Sequence, residues 1–206
     1  VAVESPDIAF IVLMAAPGLI GEQILYKQFV LIARVNGATE KEISKELNLM
    51  KKLYSVVKKV RDNTAASKAL RKIYESYYES LSGKKKKESN NYTQIIDRQI
   101  NALTSPWFRY FLTYNPVPTL EKVKCPVLAI DGGKDLQVPP KEDLQIIKEA
   151  LEKGGNKNFE IKEFPNLNYL FQHSKTGSPL EYSKIEENIS PAVLQTLSNW
   201  ISKIVK

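Results

Sequence analysis

Cysteine is nearly missing from this chain. Cys125 is the sole one in 206 residues, so no intrachain disulfide framework can hold the fold together. Histidine is equally scarce, represented by His173 alone. Long hydrophobic runs are absent too. The longest, Ile8 to Ala16, falls far short of the roughly 20 residues a membrane-spanning helix needs, so no membrane span is expected. Glu4 and Asp7 precede that run where a secretion signal would carry positive charge, so it does not read as a signal peptide. No internal repeat period occurs.

What the chain does have is 43% apolar residues, enough to bury a real core as one domain, or as a compact domain with an insertion. Its formal net charge of +7 is unevenly spread. Residues 19–115 hold 18 Lys+Arg against 9 Asp+Glu, a local excess of +9, while the rest of the chain is at −2. The asymmetry marks the middle of the chain as a separate unit. Within it, the four lysines at 84–87 have no interleaved aromatics for base stacking and lack arginine's bidentate fork. They read as a solvated loop tip, and no nucleic-acid partner is expected. Lys51, Lys52, Lys58 and Lys59 lie opposite Leu53, Val56, Val57 and Val60, as on a solvated outer helix face.

The pattern along the chain is α/β. Ile8 to Ala16, closed by Pro17-Gly18, is short, continuously apolar and rich in β-branched residues, as in a parallel strand buried on both faces. Residues 19–115 then carry helical periodicity, with four or five helices separated by connections at Asn36-Gly37, at Arg61-Asp62-Asn63 and over 82–91. Thr39 with Glu42 has capping-box spacing, and Ser105-Pro106 is an N-cap followed by proline at the first helical position. A second buried strand is expected from Cys125 to Ile130. Asp131-Gly-Gly-Lys-Asp135 forms the loop leaving it. A helix opens at Pro139-Pro140 and stops at Gly154-Gly155. Phe159 to Phe164 alternates as a third strand, and a last helix starts from Ser190-Pro191 with Val193, Leu194, Leu197, Trp200, Ile201 and Ile204 as its apolar positions. That helix should dock on the sheet.

Two blocks are more specific. Cys125-Pro-Val-Leu-Ala-Ile-Asp-Gly-Gly-Lys-Asp-Leu-Gln-Val-Pro-Pro140 resembles the strand and turn that carry the acid in α/β-hydrolases. Phe164-Pro-Asn-Leu-Asn-Tyr-Leu-Phe171 is similar to the stretch that presents the histidine in that family. The segment Ser105-Pro-Trp-Phe-Arg-Tyr-Phe-Leu-Thr-Tyr-Asn-Pro116 strengthens the likeness, which looks closest to a bacterial subgroup of esterase or acyl-hydrolase-like proteins. The resemblance implies the C-terminal part of an α/β-hydrolase parallel sheet with an inserted helical cap: a first core strand over 1–18, the cap over 19–115, and the C-terminal core over 116–206. It also implies a small-molecule ester or thioester substrate enclosed under the cap and no metal or organic cofactor. Trp107, Phe108, Tyr110 and Phe111 become candidates for an apolar acyl pocket, with packing inside the cap core as the plainer alternative.

The chemistry needs serine, acid and histidine after successive strands. By position and loop context Asp135 matches the acid, whose role would be to accept the histidine N–H and stabilise the imidazolium; the competing reading is a turn aspartate that bonds only to its own loop. Asp131, at the strand edge, is the weaker candidate. Two departures follow. The histidine position reads Tyr169, and a phenol with a reference pKa of about 10 cannot act as a base near neutrality. His173 lies four residues on and would share a face with Tyr169 if the chain from Leu170 were helical; otherwise it is a surface or loop residue. No Gly-x-Ser-x-Gly occurs, and Ser5-Pro6 has no flanking glycines to permit the strained turn. Either the chain is a piece of a longer protein, the favoured reading, or it is a short relative without catalysis. In both cases a first strand with an open hydrophobic edge calls for a partner, either a missing N-terminal segment or a second copy.

Overall fold

The computed structural model describes residues 1–81 and 92–205, so the lysines at 84–87 and the connection expected over 82–91 lie outside the described residues. The chain divides into two compact units. One is Val1–Ala38 with Asn115–Lys206, and the other is Thr39–Tyr114.

The first unit is α/β. Three parallel strands, β1 (Ile11–Met14), β2 (Val127–Gly132) and β3 (Phe159–Phe164), lie in the order β1-β2-β3. Ile11 is in register with Val127, and Val127 with Phe159. All six residues of β2 are buried, as expected for a central parallel strand covered on both faces. Alternation sorts them by side. Leu128 and Ile130 join Phe164, Leu167, Val193 and Trp200 in one core. Val127 and Ala129 join Leu144, Ile147, Ala150 and Leu151 in the other.

Each of these two cores is completed by a helix from the Asn115–Lys206 part of the unit. α7 (Pro140–Lys153) follows β2 and contributes Leu144, Ile147 and Leu151, while α8 (Pro191–Ile204) contributes Val193 and Trp200. Trp200 meets Phe10 edge to face at 5.5 Å between ring centroids. Ser190 holds the N-cap position of α8, and its amide donates to the Phe171 carbonyl at 2.9 Å. Leu194 was expected in the core but is half exposed, because Val193 and Trp200, seven apart, fix the buried stripe one residue away. α1 (Gly21–Val35) belongs to this unit as well, as do the short helix α6 (Val117–Leu120) and a 3₁₀ turn at Pro179–Lys184, neither of which was read from the sequence.

β1 differs from its expected form. The ladder covers Ile11–Met14 only; Ile11, Val12 and Leu13 are half-buried and Met14 is 39% exposed. Among the described residues β1 pairs only with β2, so just one of its edges is covered, and Ala15 turns out of the strand at φ 47°. β2 likewise begins at Val127 rather than Cys125. Pro126 has no N–H for the ladder, although its carbonyl accepts the Ile11 amide at 3.0 Å.

The second unit is helical: α2 (Glu40–Lys59), α3 (Asn63–Glu79), α4 (Tyr92–Leu103) and α5 (Pro106–Thr113). Thr39 and Glu42 form the full capping box, and the Ser105 hydroxyl accepts from the Phe108 amide at 3.2 Å. Asn63, expected in a connection, is the first residue of α3, with Asp62 capping it. The core holds Ile43, Leu53, Val57, Ala66, Leu70, Ile100 and Leu112, and Lys51, Lys52, Lys58 and Lys59 of α2 are exposed as expected. Among the described residues no helix is long and apolar enough to cross a membrane.

Candidate functional site

Parallel α/β sheets present ligand-binding groups at the carboxyl ends of their strands, and the loops leaving β2 and β3 meet there. The Gly133 amide donates to the Phe164 carbonyl at 2.8 Å and the Lys134 amide to the Leu167 carbonyl at 2.9 Å. A Cβ on Gly132 would lie against the carbonyl oxygens of Leu167 and Asn168, so the close approach of the two loops demands glycine. The loop that carries Asp135 is therefore clamped to the loop that carries Tyr169.

Asp135 sits in this clamp, 2% exposed. Its Oδ1 accepts two backbone N–H groups, from Gln137 at 2.6 Å and Val138 at 2.9 Å, while its own amide closes a tight turn onto the Gly132 carbonyl at 2.8 Å. Its Oδ2 is buried without a hydrogen-bond donor. Asp135 thus makes the local bonds of a turn aspartate and keeps a second oxygen that those bonds do not use.

Asp131 is fully buried in β2. Its parity with Val127 and Ala129 directs it to the α7 side. Its Oδ1 accepts the Gly132 amide at 2.7 Å, and its Oδ2 has no donor. Burial raises the pKa of both carboxyls, and the negative charge of Asp135 raises that of Asp131 further. A third carboxyl, Asp143 in the first turn of α7, is also buried. It fastens the loop after β1 by accepting the amides of Gly18 at 2.6 Å and Leu19 at 2.9 Å, and burial raises its pKa as well. Asp143 escaped the sequence reading. Its signal was there, since Asp143, Ile147 and Ala150 fall at i, i+4, i+7 on one buried helix face.

Tyr182, from the 3₁₀ turn, has a raised pKa, first through burial, with the negative charge of Asp135 adding to the effect. Its hydroxyl accepts from Gln137 Nε2 at 3.2 Å, and Gln137 Oε1 in turn accepts from Gln28 of α1 at 3.0 Å. No periodicity in the sequence marks Tyr182 as a neighbour of Asp135 or Gln28 as a partner of Gln137.

The loop presenting Tyr169 is organised by Asn168, which is fully buried. Its Oδ1 accepts the amides of Leu170 at 2.9 Å and Gln172 at 3.0 Å, and its Nδ2 donates to Gln172 Oε1 at 3.1 Å. Phe171 is held at φ 58°, unusual for a bulky residue, which ends the turn and buries its ring. Tyr169 is half-buried against the core that includes Phe164 and Trp200. The segment from Leu170 is not helical, so His173 does not share a helix face with Tyr169. His173 is a surface residue, its Nδ1 3.0 Å from Glu187 Oε2 and its backbone amide 2.6 Å from the same oxygen. These bonds hold the Glu187 carboxyl below its ordinary pKa.

In the helical unit, the aromatics of α5 separate. Phe108 packs on Tyr54 at 5.7 Å. Trp107 and Tyr110 are 68% and 64% exposed, so these two are not core residues of the unit. Each stacks on the residue four positions on, Trp107 on Phe111 and Tyr110 on Tyr114, at 5.2 Å in both cases. Among the described residues no group of three or more His, Cys, Asp or Glu is placed to hold a metal ion.

No protein-family model matches the chain. No solved structure matches it either. Over 90 residues it is 30% identical to Esterase EstD of Thermotoga maritima, a match that covers 43% of this chain and 21% of that protein. The chain thus spans about a fifth of the esterase it resembles, and the likeness to an esterase is weak and partial.

Proposed function

We propose that this chain is the C-terminal portion of an α/β-hydrolase acting on carboxylic ester or thioester bonds, with Asp135 as the acid of its catalytic triad and the helical unit as its cap. The observation that carries the reading is the state of Asp135. It is buried after the carboxyl end of a central strand, one oxygen is fixed by two backbone amides, and the other awaits a donor. A triad acid needs this arrangement to orient an imidazole and stabilise its protonated form. The partial likeness to an esterase points the same way.

The 206 residues hold no Gly-x-Ser-x-Gly, and the histidine position reads Tyr169, so the chain alone is expected to be inactive. The nucleophile and its oxyanion hole would come from sequence preceding Val1. That segment, or a second copy of the chain, would also pair with the open edge of β1. The substrate would be a small ester or thioester, handled through an acyl-enzyme without metal or organic cofactor.

A second reading, a non-catalytic binding protein of the same architecture, is favoured by Tyr169 together with the engagement of His173 by Glu187. The two readings part on the encoded sequence upstream of Val1. A Gly-x-Ser-x-Gly there, together with aryl-ester hydrolysis by the longer polypeptide carrying Tyr169→His, supports the hydrolase. Absence of the motif from that upstream sequence sinks it.

A further inference from the structure

Two buried carboxyl groups within hydrogen-bonding reach of each other pose a problem of charge. Asp131 and Asp135 lie on either side of the turn closed by the Asp135 amide and the Gly132 carbonyl, and each side chain reaches the other. In each, Oδ1 accepts from backbone, one amide for Asp131 and two for Asp135, and Oδ2 has no donor among the described residues. Two ionised carboxylates disfavour each other at such a site, because burial and the neighbouring like charge both penalise the charged form. One shared proton removes the repulsion and supplies the donor that both Oδ2 atoms lack.

We propose that Asp131 retains a proton at neutral pH and donates it to Asp135 Oδ2, making Asp131 the positioning residue for Asp135. The backbone decides which partner ionises. Asp135 Oδ1 accepts two amides from the chain beyond it, whereas Asp131 Oδ1 accepts one, from the next residue. More donors favour the charged form, so the charge rests on Asp135.

Among the described residues the surrounding groups do not supply a competing cation. From α7 comes Asp143, whose negative charge opposes ionisation of both partners. From the 3₁₀ turn comes Tyr182, which senses the charge on Asp135, with Tyr169 beside it. Lys134, in the loop itself, directs its ammonium to the Ser174 carbonyl at 2.7 Å. Lys27 of α1 is paired with Glu142 at 2.5 Å and acts on Asp143. The role of Asp135 in a hydrolase rests on the reading above; the shared proton does not.

The test is an NMR titration of the 206-residue chain with its aspartate carboxyl carbons labelled. In the unsubstituted protein the Asp131 resonance should report a protonated carboxyl at pH 7 while Asp135 reports a carboxylate. An ionised Asp131 at pH 7, or a proton found on Asp135 or Asp143 instead, overturns the proposal. Asp131→Asn keeps a donor toward Asp135 Oδ2 and Asp131→Leu removes it, so Asp135 should titrate at least about one pH unit lower in the first variant than in the second. Equal midpoints overturn the proposal. None of these readouts depends on ester hydrolysis.

Discussion

Gly132 lies so close to Asn168 that a Cβ on the glycine would come within 2.6 Å of the Asn168 carbonyl oxygen. The obstructing atoms are backbone, from Leu167 as well as Asn168, and cannot rotate away. Gly132→Ala therefore has to part the loops that follow β2 and β3. A loss of about 1–3 kcal/mol is expected, read as a lower urea midpoint with little change in m value. A midpoint matching the parent protein would mean that the two loops are not clamped.

Asn168→Ala attacks the same junction from the other side. It removes the acceptor of the Leu170 and Gln172 amides and the donor to Gln172 Oε1 at a fully buried position. Orphaned buried donors cost more than the bonds themselves return, so about 2–4 kcal/mol of stability should be lost. Amide exchange at Leu170 and Gln172 should accelerate well beyond that of β2, because the loop opens before the sheet does. Uniform acceleration across the unit would contradict this local role.

What the sequence revealed and what it hid divide along the range of the interactions. Phe159–Phe164 was legible to the residue because a half-buried strand alternates, and the capping box at Thr39 and the proline-led helix starts were legible because their chemistry spans four residues. β1 was read too long, since an apolar run does not show where its hydrogen-bonding neighbour stops. Asp135 was picked out by its loop, but the approach of Tyr182 and the bond from Gln28 to Gln137 depend on chain segments tens of residues away, and the orientation of Asp135 toward Asp131 on a turn whose geometry the residue types do not reveal. Trp107 and Tyr110 show the same limit. Residue type marks them as large and apolar, and only the packing of Phe108 and Leu112 reveals which face of α5 is left over.

In the helical unit the interaction to test is Arg109, whose guanidinium donates to the carbonyls of Val57 at 2.5 Å and Val60 at 2.9 Å and to Asn63 Oδ1 at 3.0 Å. It closes the end of α2, where unsatisfied carbonyls and the helix dipole favour a cation, and ties it to the start of α3. Arg109→Ala should cost about 2–3 kcal/mol. Arg109→Lys should recover only part of this, because an ammonium lacks the fork that reaches all three acceptors. Thermal unfolding of the three proteins in one buffer decides it, and a lysine variant as stable as the parent would show that charge alone suffices.

Stability should also fall as pH rises from the ordinary carboxylate range through neutrality. Asp131, Asp135 and Asp143 all have folded-state pKa values raised by burial, so in that window the native state holds more protons than the unfolded chain. The slope of unfolding free energy with pH is then negative. Glu181 contributes with the opposite sign. Bonds from Ser174 and Thr176 lower its pKa to about 2, so its contribution is present above the unfolded pKa and disappears as pH falls toward 2. Melting temperatures measured from pH 3 to 9 should peak on the acid side of neutrality. Asp131→Asn should flatten the alkaline limb, and an unchanged limb would assign the effect to other groups.

The substitution with the largest expected functional consequence is Tyr169→His, made in the longer polypeptide. A phenol at this position cannot take the proton of a serine near neutral pH, whereas an imidazole can, provided its N–H reaches the acid. Asn168 and Phe171 already fix the backbone on both sides of residue 169, and among the described residues Asp135 Oδ2 has no donor beyond the proton proposed for Asp131. The substitution therefore changes the base without rebuilding the loop. Hydrolysis of a short-chain aryl ester should go from little or none to measurable, and Asp135→Asn in the same background should remove most of the gain. Activity that appears with Tyr169→His and survives Asp135→Asn would mean that Asp135 is not the acid. Activity in neither, from a polypeptide that carries a Gly-x-Ser-x-Gly and folds, would favour the binding protein, because the missing imidazole would then not be what separates this site from catalysis.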